Sequence, residues 1–203
     1  MTALEPPRIV LADANVLYSR VLRDYLLYAA DEEVISVTWS PEILREMTEH
    51  LVENVAGFTH ESGERLVTAM NRAFPYAETT PSDEARAAVA EAAIPDEDDR
   101  HVLAAAVAAE ATVLCTSNVR DFPEEVTTPL GVHVMTPDAL LARLVRQFPT
   151  TMHRVHATSV ARLRGASDDS TIAALGRAGA PRTAALVCEL VQARSTSTSR
   201  PPP

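Results

Sequence analysis

The sequence contains no lysine, and all 18 of its basic residues are arginines. This absence bears on function because phosphate-loop nucleotidases, Schiff-base enzymes and haloacid-dehalogenase-like phosphatases each use a lysine in a characteristic site. The sequence therefore argues against all three classes.

Cysteine is also scarce, with only Cys115 in an apolar, strand-like run and Cys188 in a helical one. Two cysteines so placed can form neither a disulfide framework nor a zinc site, and we predict that both are core residues. The six histidines show no metal-ligand spacing with cysteines, and no serine lies in a nucleophile elbow. We expect surface or core roles for His50, His60, His101, His133, His153 and His156.

Long apolar runs are missing as well. No run approaches the roughly 20 residues that span a membrane, and the start "MTALEPPRIV" lacks the layout of a secretory signal. With 46% hydrophobic and 23% charged residues, the composition is that of a soluble globular protein. We expect a cytoplasmic location and no membrane association.

Charge is divided unevenly along the chain. Residues 1–138 hold 25 acidic residues and nine arginines, whereas residues 139–203 hold three acidic residues and nine arginines. Helical patterns alone follow Pro149, and they are interrupted near Gly165 and at residues 179–181. We predict a first domain over residues 1–148, a basic helical extension over 149–194 and a disordered tail over 195–203.

Strand and helix patterns alternate before Pro149. Helical stretches such as "PEILREMTEHLVENV", with Ser40 as N-cap and Pro41 at its first position, separate short branched, apolar runs. Such alternation predicts an α/β fold with a parallel sheet that is covered on both faces. The predicted strands are 8–13, 34–40, 112–117 and 132–136, with "YAETT" as a further candidate.

Polar side chains follow two of these strands and open one helix. Asp13 closes the first strand, Asn118 and Asp121 lie just after the third, and an acidic run at 96–99 begins a helix predicted over about 97–110. In parallel sheets, functional groups collect at the carboxyl ends of strands and at the N-termini of the following helices. We expect these groups to share one edge of the sheet.

Helical spacing places Asp99 in the middle of the apolar face of that helix, whereas Asp98 and His101 point away from it. A carboxylate on a buried face near other acids requires a positive partner. An ion pair with Arg100 or Arg120 is one possibility. We favour the other, a Mg²⁺ or Mn²⁺ ion, since such hard cations bind carboxylate oxygens and water.

Four segments in this order resemble the motifs of PIN-domain nucleases, especially the VapC-like toxins of bacterial toxin–antitoxin pairs: "LADANVLYS", "EILREM", "DEDDRHVLAAA" and "TSNVRDFP". The resemblance covers about residues 8–148. It implies a three-layer α/β/α fold with a central parallel sheet and Mg²⁺- or Mn²⁺-dependent cleavage of RNA.

The resemblance also implies site residues. The first family acid falls on Asp13 and the third on Asp99, with Asp96 as an auxiliary metal ligand. The last position is shared between Asn118 and Asp121, both of which also suit a turn.

The second family acid falls on Glu46. The residues alone cannot select it, because the same predicted helix also carries Glu42, Glu49 and Glu53.

The mechanism that the resemblance implies is metal-assisted phosphodiester hydrolysis, which leaves 3′-hydroxyl and 5′-phosphate ends. One or two ions would polarise the phosphate and lower the pKa of a water molecule. Arg100 and Arg120 would steady the phosphate. We further expect the basic extension to bind RNA through Arg154, Arg162 and Arg164, because an acidic surface repels RNA; packing on the nuclease domain or on a dimer mate is the alternative role.

Partners follow from the resemblance alone. VapC-like toxins are normally silenced by a small antitoxin and often form homodimers. A housekeeping RNA-processing nuclease would have the same site, and a non-catalytic PIN-like protein that binds RNA or an antitoxin would be expected to lack one of its acids. A phospho-receiver domain also has strand-end acids, but its usual lysine is missing here.

Overall fold

In the computed structural model, which describes residues 8–198 and their side chains through Arg194, four short strands form one parallel sheet. The strands are β1 (Arg8–Ala12), β2 (Ile35–Thr38), β3 (Val113–Cys115) and β4 (His133–Met135). Their order is β2-β1-β3-β4, and Val10 of β1 lies opposite Val37 of β2 and Val113 of β3. The predicted α/β class with a parallel central sheet is confirmed.

The two central strands are covered on both faces. Val10, Leu11 and Ala12 are all buried, as are all three residues of β3. Successive strand residues point to opposite faces, so a continuous buried run requires cover on each side. Cys115 lies in this core, as predicted, whereas Cys188 is only half-buried.

Strands are added to the sheet first on one side of β1 and then on the other. From β1 the chain passes to β2 on one side, and β3 and β4 then add on the other side. Crevices at the carboxyl ends of strands open at such a reversal, which places the segments after Ala12 and Cys115 side by side.

The described residues contain these helices, in chain order: α1 (Ala14–Tyr18), α2 (Arg20–Asp31), α3 (Pro41–Asn54), α4 (His60–Ala73), α5 (Asp83–Val89), α6 (Arg100–Ala108), α7 (Glu124–Thr127), α8 (Pro137–Gln147), α9 (Pro149–Arg162), α10 (Asp168–Arg177) and α11 (Pro181–Thr198). The buried Ser40 caps α3 by accepting a hydrogen bond from the Ile43 backbone amide at 3.2 Å, and Pro41 begins that helix, as predicted. The "YAETT" segment is not a strand but forms an isolated bridge from Glu78 to Trp39, and the Thr38 hydroxyl of β2 donates to its Ala77 carbonyl at 2.7 Å.

The helix predicted over about 97–110 is shorter than expected. Glu97–Asp99 form a 3₁₀ turn, in which Asp96 accepts the Asp98 backbone amide at 3.0 Å, and α6 begins only at Arg100. Aspartate side chains compete for nearby backbone amides, and here they delay the helix. At the other end Glu110, whose φ is 50°, lies in the left-handed region that terminates helices.

The residues pack into two compact units. The first comprises residues 8–18 and 35–136 and holds the sheet with α1 and α3–α7. The second comprises residues 19–34 and 137–198, so the chain passes from the first unit to the second at Ser19, between α1 and α2, and α2 groups with α8–α11. The predicted domain division after residue 148 remains a prediction.

The second unit is wholly helical, as the pattern after Pro149 predicts. Gly165 and Gly179, with φ values of 77° and 81°, occupy the breaks between its last three helices. Helix α11 continues through Thr198, into the segment predicted as a disordered tail, and residues 199–203 lie outside the described residues. None of the helices within residues 8–198 combines the length and apolarity needed to cross a lipid bilayer.

Candidate active site at the carboxyl edge of the sheet

Asp13 is held in one orientation at the end of β1. Its side chain is 5% exposed, and three donors reach it: the Ala14 backbone amide at 2.7 Å, the Thr116 hydroxyl at 2.6 Å and the Asn15 side-chain amide at 2.5 Å. Burial nevertheless raises the pKa of Asp13, and the hydrogen bonds from Thr116 and Ala14 oppose the rise. The three hydrogen bonds thus fix the orientation of the carboxylate, but their donors are uncharged and do not cancel its negative charge.

Thr116 and Asn15 join the segments after β1 and β3. The buried Thr116 hydroxyl donates to Asp13 and accepts from the Asn118 backbone amide at 3.0 Å. The Asn15 side chain donates to Thr116 at 3.1 Å and accepts from the Ser117 backbone amide at 2.9 Å. Neither residue was predicted from the sequence as part of the site, although a polar side chain directly after a wholly apolar strand is a signal that marks Thr116.

Asp99 lies where several carboxylates meet. It is half-buried, flanks the start of α6, and has a pKa raised to about 6 by burial and by the charges of Asp13, Asp96 and Asp121. These mutual effects show that the structure brings four of the predicted acids into one region. Asp99 is less buried than its predicted position on the apolar face of a helix implies, because α6 begins only at Arg100, one residue after it.

The alternative ion pair with Asp99 does not form among the described residues. Arg100 pairs instead with Glu97 at 3.3 Å, and Arg120 is exposed. His101 lowers the pKa of Asp99, but by less than burial and the three carboxylates raise it. Among the described residues, the negative charge at this sheet edge is therefore largely uncompensated.

Glu46 faces the same region through His101. The Glu46 carboxylate bonds to His101 Nε2 at 2.8 Å, whereas Glu42 pairs with Arg86, Glu49 pairs with Arg45 and Glu53 is exposed. The structure thus distinguishes among four glutamates that the residues alone could not separate.

The prediction that His101 points away with Asp98 is wrong. His101 is half-buried, because the polar side of the first turn of α6 faces Glu46 of α3 rather than solvent. Burial opposes protonation of His101, but the bond to Glu46 and the charges of Glu46, Asp13 and Glu42 raise its pKa overall. Its Nδ1 atom is buried and has no hydrogen-bond partner among the described residues.

The candidates for the last site position lie in the segment after β3. Asn118 precedes a 3₁₀ turn over Val119–Asp121; its backbone amide bonds to Thr116, and its side chain is exposed. Asp121 is half-buried, and its charge raises the pKa of Asp99. The charge of Asp121 thus acts on the acid cluster. Asn118 is connected to that cluster only indirectly, through the bond from its backbone amide to Thr116.

The donor set can be tested against the metal ion that the sequence suggests. Within residues 8–198, no group of three or more His, Cys, Asp or Glu side chains is already arranged to hold a metal ion. The available donors at the site are carboxylate oxygens, which suit a hard cation such as Mg²⁺ or Mn²⁺. A cation would also relieve the repulsion that raises the pKa of Asp99, so the residues fit such an ion chemically.

The arginines predicted to bind RNA differ in their surroundings. Within the second unit, Arg154 forms a two-pronged ion pair with Glu32, whereas Arg162 and Arg164 are exposed. In the first unit, Arg100 is half-buried, and its Nη2 atom contacts the Ala92 carbonyl at 3.5 Å. Among these arginines, Arg120, Arg162 and Arg164 extend from the surface.

A family model described as a PIN domain matches residues 9–120, which is more than half of the chain. The matched region runs from β1 to the 3₁₀ turn after β3 and includes Asp13, Glu46 and Asp99. No curated protein and no solved structure matched the chain.

Proposed function

Since the chain belongs to the PIN-domain family, we propose that it is a Mg²⁺- or Mn²⁺-dependent endoribonuclease and the toxin of a toxin–antitoxin pair. PIN domains are generally nucleases and typically use divalent metal ions. The single observation that carries the proposal is the convergence on Asp99, where burial and three further carboxylates raise its pKa to about 6. A cluster of acids that repel one another at a sheet edge is destabilising unless it binds a cation.

The residues of the site have two proposed roles: some bind the ion, and others orient its ligands. Asp13, Asp99 and Asp121 would bind the cation, Glu46 would bind it directly or through water, and Asp96 and Asn118 are auxiliary candidates. When bound, Mg²⁺ or Mn²⁺ would supply Lewis-acid polarisation of the phosphate and would lower the pKa of a water molecule. The donors to Asp13 pre-set its orientation, so less reorganisation is needed when the substrate arrives.

RNA is the proposed substrate, cut to leave 3′-hydroxyl and 5′-phosphate ends. Arg100 and Arg120 adjoin the acids in sequence and would steady the phosphate, and Arg154, Arg162 and Arg164 of the second unit would bind the RNA backbone. Since Arg154 is already paired with Glu32, we expect it to contribute less than Arg162 and Arg164.

Cleavage of total cellular RNA tests the proposal. The purified chain is incubated with Mn²⁺ or Mg²⁺, with EDTA, and as the Asp99→Asn variant. Asp98→Asn is the matched control, since Asp98 is the exposed neighbour of Asp99 and this substitution removes the same charge. We expect discrete products from the wild type and from Asp98→Asn, and none with EDTA or from Asp99→Asn.

One rival is a non-catalytic PIN-like protein that binds RNA or an antitoxin, although Asp13, Asp99 and Asp121, one of which such a protein would be expected to lack, are all present. Folded wild-type protein that takes up Mn²⁺ but leaves RNA intact would favour that rival. Mn²⁺ uptake itself is measured by calorimetry, with Asp99→Asn as the comparison.

The toxin role has its own test, because a housekeeping nuclease would have the same chemistry. Induced expression should arrest growth, and Asp99→Asn should relieve the arrest while Asp98→Asn does not. We further propose a homodimer and a small antitoxin as partners. Growth that continues during accumulation of active nuclease would contradict the toxin role and leave the nuclease proposal intact.

A further inference from the structure

The first unit contains a groove between α3 and α4. It has a volume of about 310 Å³ and mainly apolar walls, and none of the proposed metal ligands lines it. Its lining residues extend from Pro41 to Thr48 on α3 and from His60 to Val67 on α4, with Glu78 beside them. Each helix thus contributes about two turns, or roughly 10 Å, to the length of the groove.

The floor of the groove is formed where the two helices approach each other. Leu44 is buried there, and Thr48 and Val67 are half-buried. A Cβ atom at Gly63 would lie 3.2 Å from the Thr48 Cβ, which is closer than ordinary van der Waals contact. Because the side chains at the contact set the distance between packed helices, Gly63 brings α4 close to α3 and defines the depth of the groove.

The apolar stripe of α4 is only partly covered by the described residues. Its buried members are Gly63 and Met70. Leu66 and Val67 lie on the same side of the helix by their spacing, but both are only half-buried. By contrast, the leucines and the valine of α8 are all buried. A partner that docks along α4 would therefore bury further apolar surface.

The rim of the groove is acidic. Glu64 and Glu78 are exposed, and neither forms an ion pair with any residue that the structure describes. Arg45 also lines the groove, but it donates two hydrogen bonds to Glu49, at 3.0 and 3.1 Å. His60 adds no formal charge at pH 7. The uncompensated charge at the rim is therefore negative, and it complements a positively charged partner.

We propose that this groove binds an amphipathic helix of a partner protein, with apolar residues along the floor and arginine or lysine residues toward Glu64 and Glu78. A groove about two turns long matches anchor residues at positions i, i+3 or i+4, and i+7 of a docked helix. RNA does not suit this surface, because the acidic rim repels phosphates. The inference is independent of the proposed nuclease function, since it depends on none of the proposed metal ligands.

Fluorescence anisotropy with a labelled peptide and the full chain tests the groove. The probe is a helical peptide of about four turns, with leucines at the anchor positions and arginines beside them. Two comparison peptides separate shape from charge: one has the same composition in scrambled order, and the other has glutamate in place of each arginine. We expect the basic amphipathic peptide to bind about tenfold more tightly than either comparison peptide.

Two groove variants locate the binding. Glu64→Gln combined with Glu78→Gln should weaken it by about fivefold, because exposed ion pairs contribute modestly. Val67→Arg should weaken it by about tenfold or more, since it places a charge on the apolar floor that repels the basic peptide. The matched control combines Glu53→Gln with Glu91→Gln, which removes two charges from exposed positions of the same unit outside the groove. In about 150 mM salt, which screens distant charges, this control should bind like the wild type.

Thermal unfolding shows that each variant is folded. The proposal is overturned if the scrambled or the acidic peptide binds as tightly as the basic amphipathic one, or if both groove variants bind like the control. Light scattering without peptide tests a second copy of this chain as the occupant. Self-association that Val67→Arg abolishes would assign the groove to that second copy and overturn the partner helix. Since the assays contain EDTA and no RNA, their outcome does not depend on catalysis.

Discussion

The proposed metal-binding role of Asp99 comes at the expense of the stability of the metal-free protein. Its charged form is disfavoured by burial and by Asp13, Asp96 and Asp121. The same crowding is what a divalent cation requires from its ligands. Stability and activity should therefore respond to substitution at this position in opposite directions.

We predict that Asp99→Asn stabilises the metal-free protein at neutral pH. The difference between a pKa of 3.8 and one of about 6 corresponds to roughly 3 kcal/mol, but Asp99 is only half-buried and solvent screens it, so we expect about 1 kcal/mol. Because the folded-state pKa is raised, the penalty is complete above about pH 6 and disappears as the pH falls toward 3.8. Urea unfolding in EDTA at pH 7.5 and pH 4.5 measures both parts.

Asp98→Asn is the control, and it should change the free energy of unfolding by less than Asp99→Asn does. Equal effects from the two variants would mean that net charge, rather than the local acid cluster, sets the penalty.

His101 is the site residue that the sequence analysis misjudged. We predict that His101→Ala lowers Mn²⁺ affinity by about tenfold, since groups that orient metal ligands typically contribute that much or more. His101→Gln retains an N–H donor toward Glu46 and should recover part of the loss. Calorimetry with Mn²⁺ provides the measurement, and His50→Ala, an exposed histidine on the helix that carries Glu46, is the control.

If His101→Ala binds Mn²⁺ as well as the wild type does, the contact with Glu46 has a structural role only. The unfolding free energy of the variant should then fall without any change in metal affinity.

At the scale of single residues, the sequence predicted which acids lie near one another better than it predicted their bonds. Asp13 and Asp99 could be placed together because a strand end and a helix start converge on one sheet edge, and the charge of Asp13 does act on Asp99. The bonds from Thr116 to Asp13 and from His101 to Glu46 join residues far apart in the chain. No local pattern encodes such contacts.

At the scale of elements, strand positions and the start of α3 followed from the sequence, whereas the ends of α1 and α6 did not. Branched, apolar runs identified β1 to β4 because the buried central strands leave little choice of residue. The late start of α6 and the break at Ser19 depend on hydrogen bonds and packing that hydrophobic spacing does not report. The first of these boundaries matters here, since it leaves Asp99 in the 3₁₀ turn before α6 rather than within the helix.

A buried hydrogen-bond chain links three helices of the second unit. The Tyr25 hydroxyl of α2 lies 2.6 Å from His156 Nδ1 on α9, and His156 Nε2 lies 3.0 Å from Asp168 on α10. Burial lowers the pKa of His156, and Asp168 opposes the shift only in part. The neutral imidazole can accept from Tyr25 and donate to Asp168, which fits both contacts.

We predict that this chain makes the second unit acid-sensitive. Because the pKa of His156 is lowered from 6.5 in the folded state, its contribution is complete above pH 6.5 and is lost as the pH falls through the lower folded-state value. The free energy of unfolding should therefore decrease between pH 7.5 and pH 5, and His156→Gln should reduce this dependence. Urea unfolding followed by circular dichroism measures it.

The difference between wild type and His156→Gln isolates this effect, because the carboxyl groups of the first unit titrate alike in both proteins. His153, on the same helix, also has a pKa lowered by burial, so His153→Gln serves as the second comparison. An identical pH dependence in wild type and His156→Gln would refute the assignment.

At the scale of the whole molecule, charge composition anticipated the C-terminal helical region but not its extent. The second unit also takes in residues 19–34, which are distant in sequence from residues 137–198. Charge and periodicity are local properties, whereas grouping α2 with α8–α11 is a consequence of packing. The excess of arginine after residue 138 nevertheless leads to a measurable expectation about RNA.

We predict that the second unit contributes counterion release when the chain binds RNA. Each arginine that neutralises a phosphate adds about 0.7 to the slope of log affinity against log salt for single-stranded nucleic acid. Replacing both Arg162 and Arg164 by glutamine should lower affinity and reduce the slope by about 1.4. Filter binding to a fluorescent oligoribonucleotide in EDTA, from 50 to about 300 mM salt, would measure the slope without cleavage.

Arg154→Gln gives an internal comparison. Glu32 already compensates Arg154, so this variant should change the slope less than either neighbouring substitution does. A double variant with the wild-type slope would remove RNA binding from the proposed roles of Arg162 and Arg164. The excess positive charge would then point to a protein partner with an acidic surface, and the oligomeric state of the same variant, measured by light scattering, would show whether that partner is a second copy of the chain.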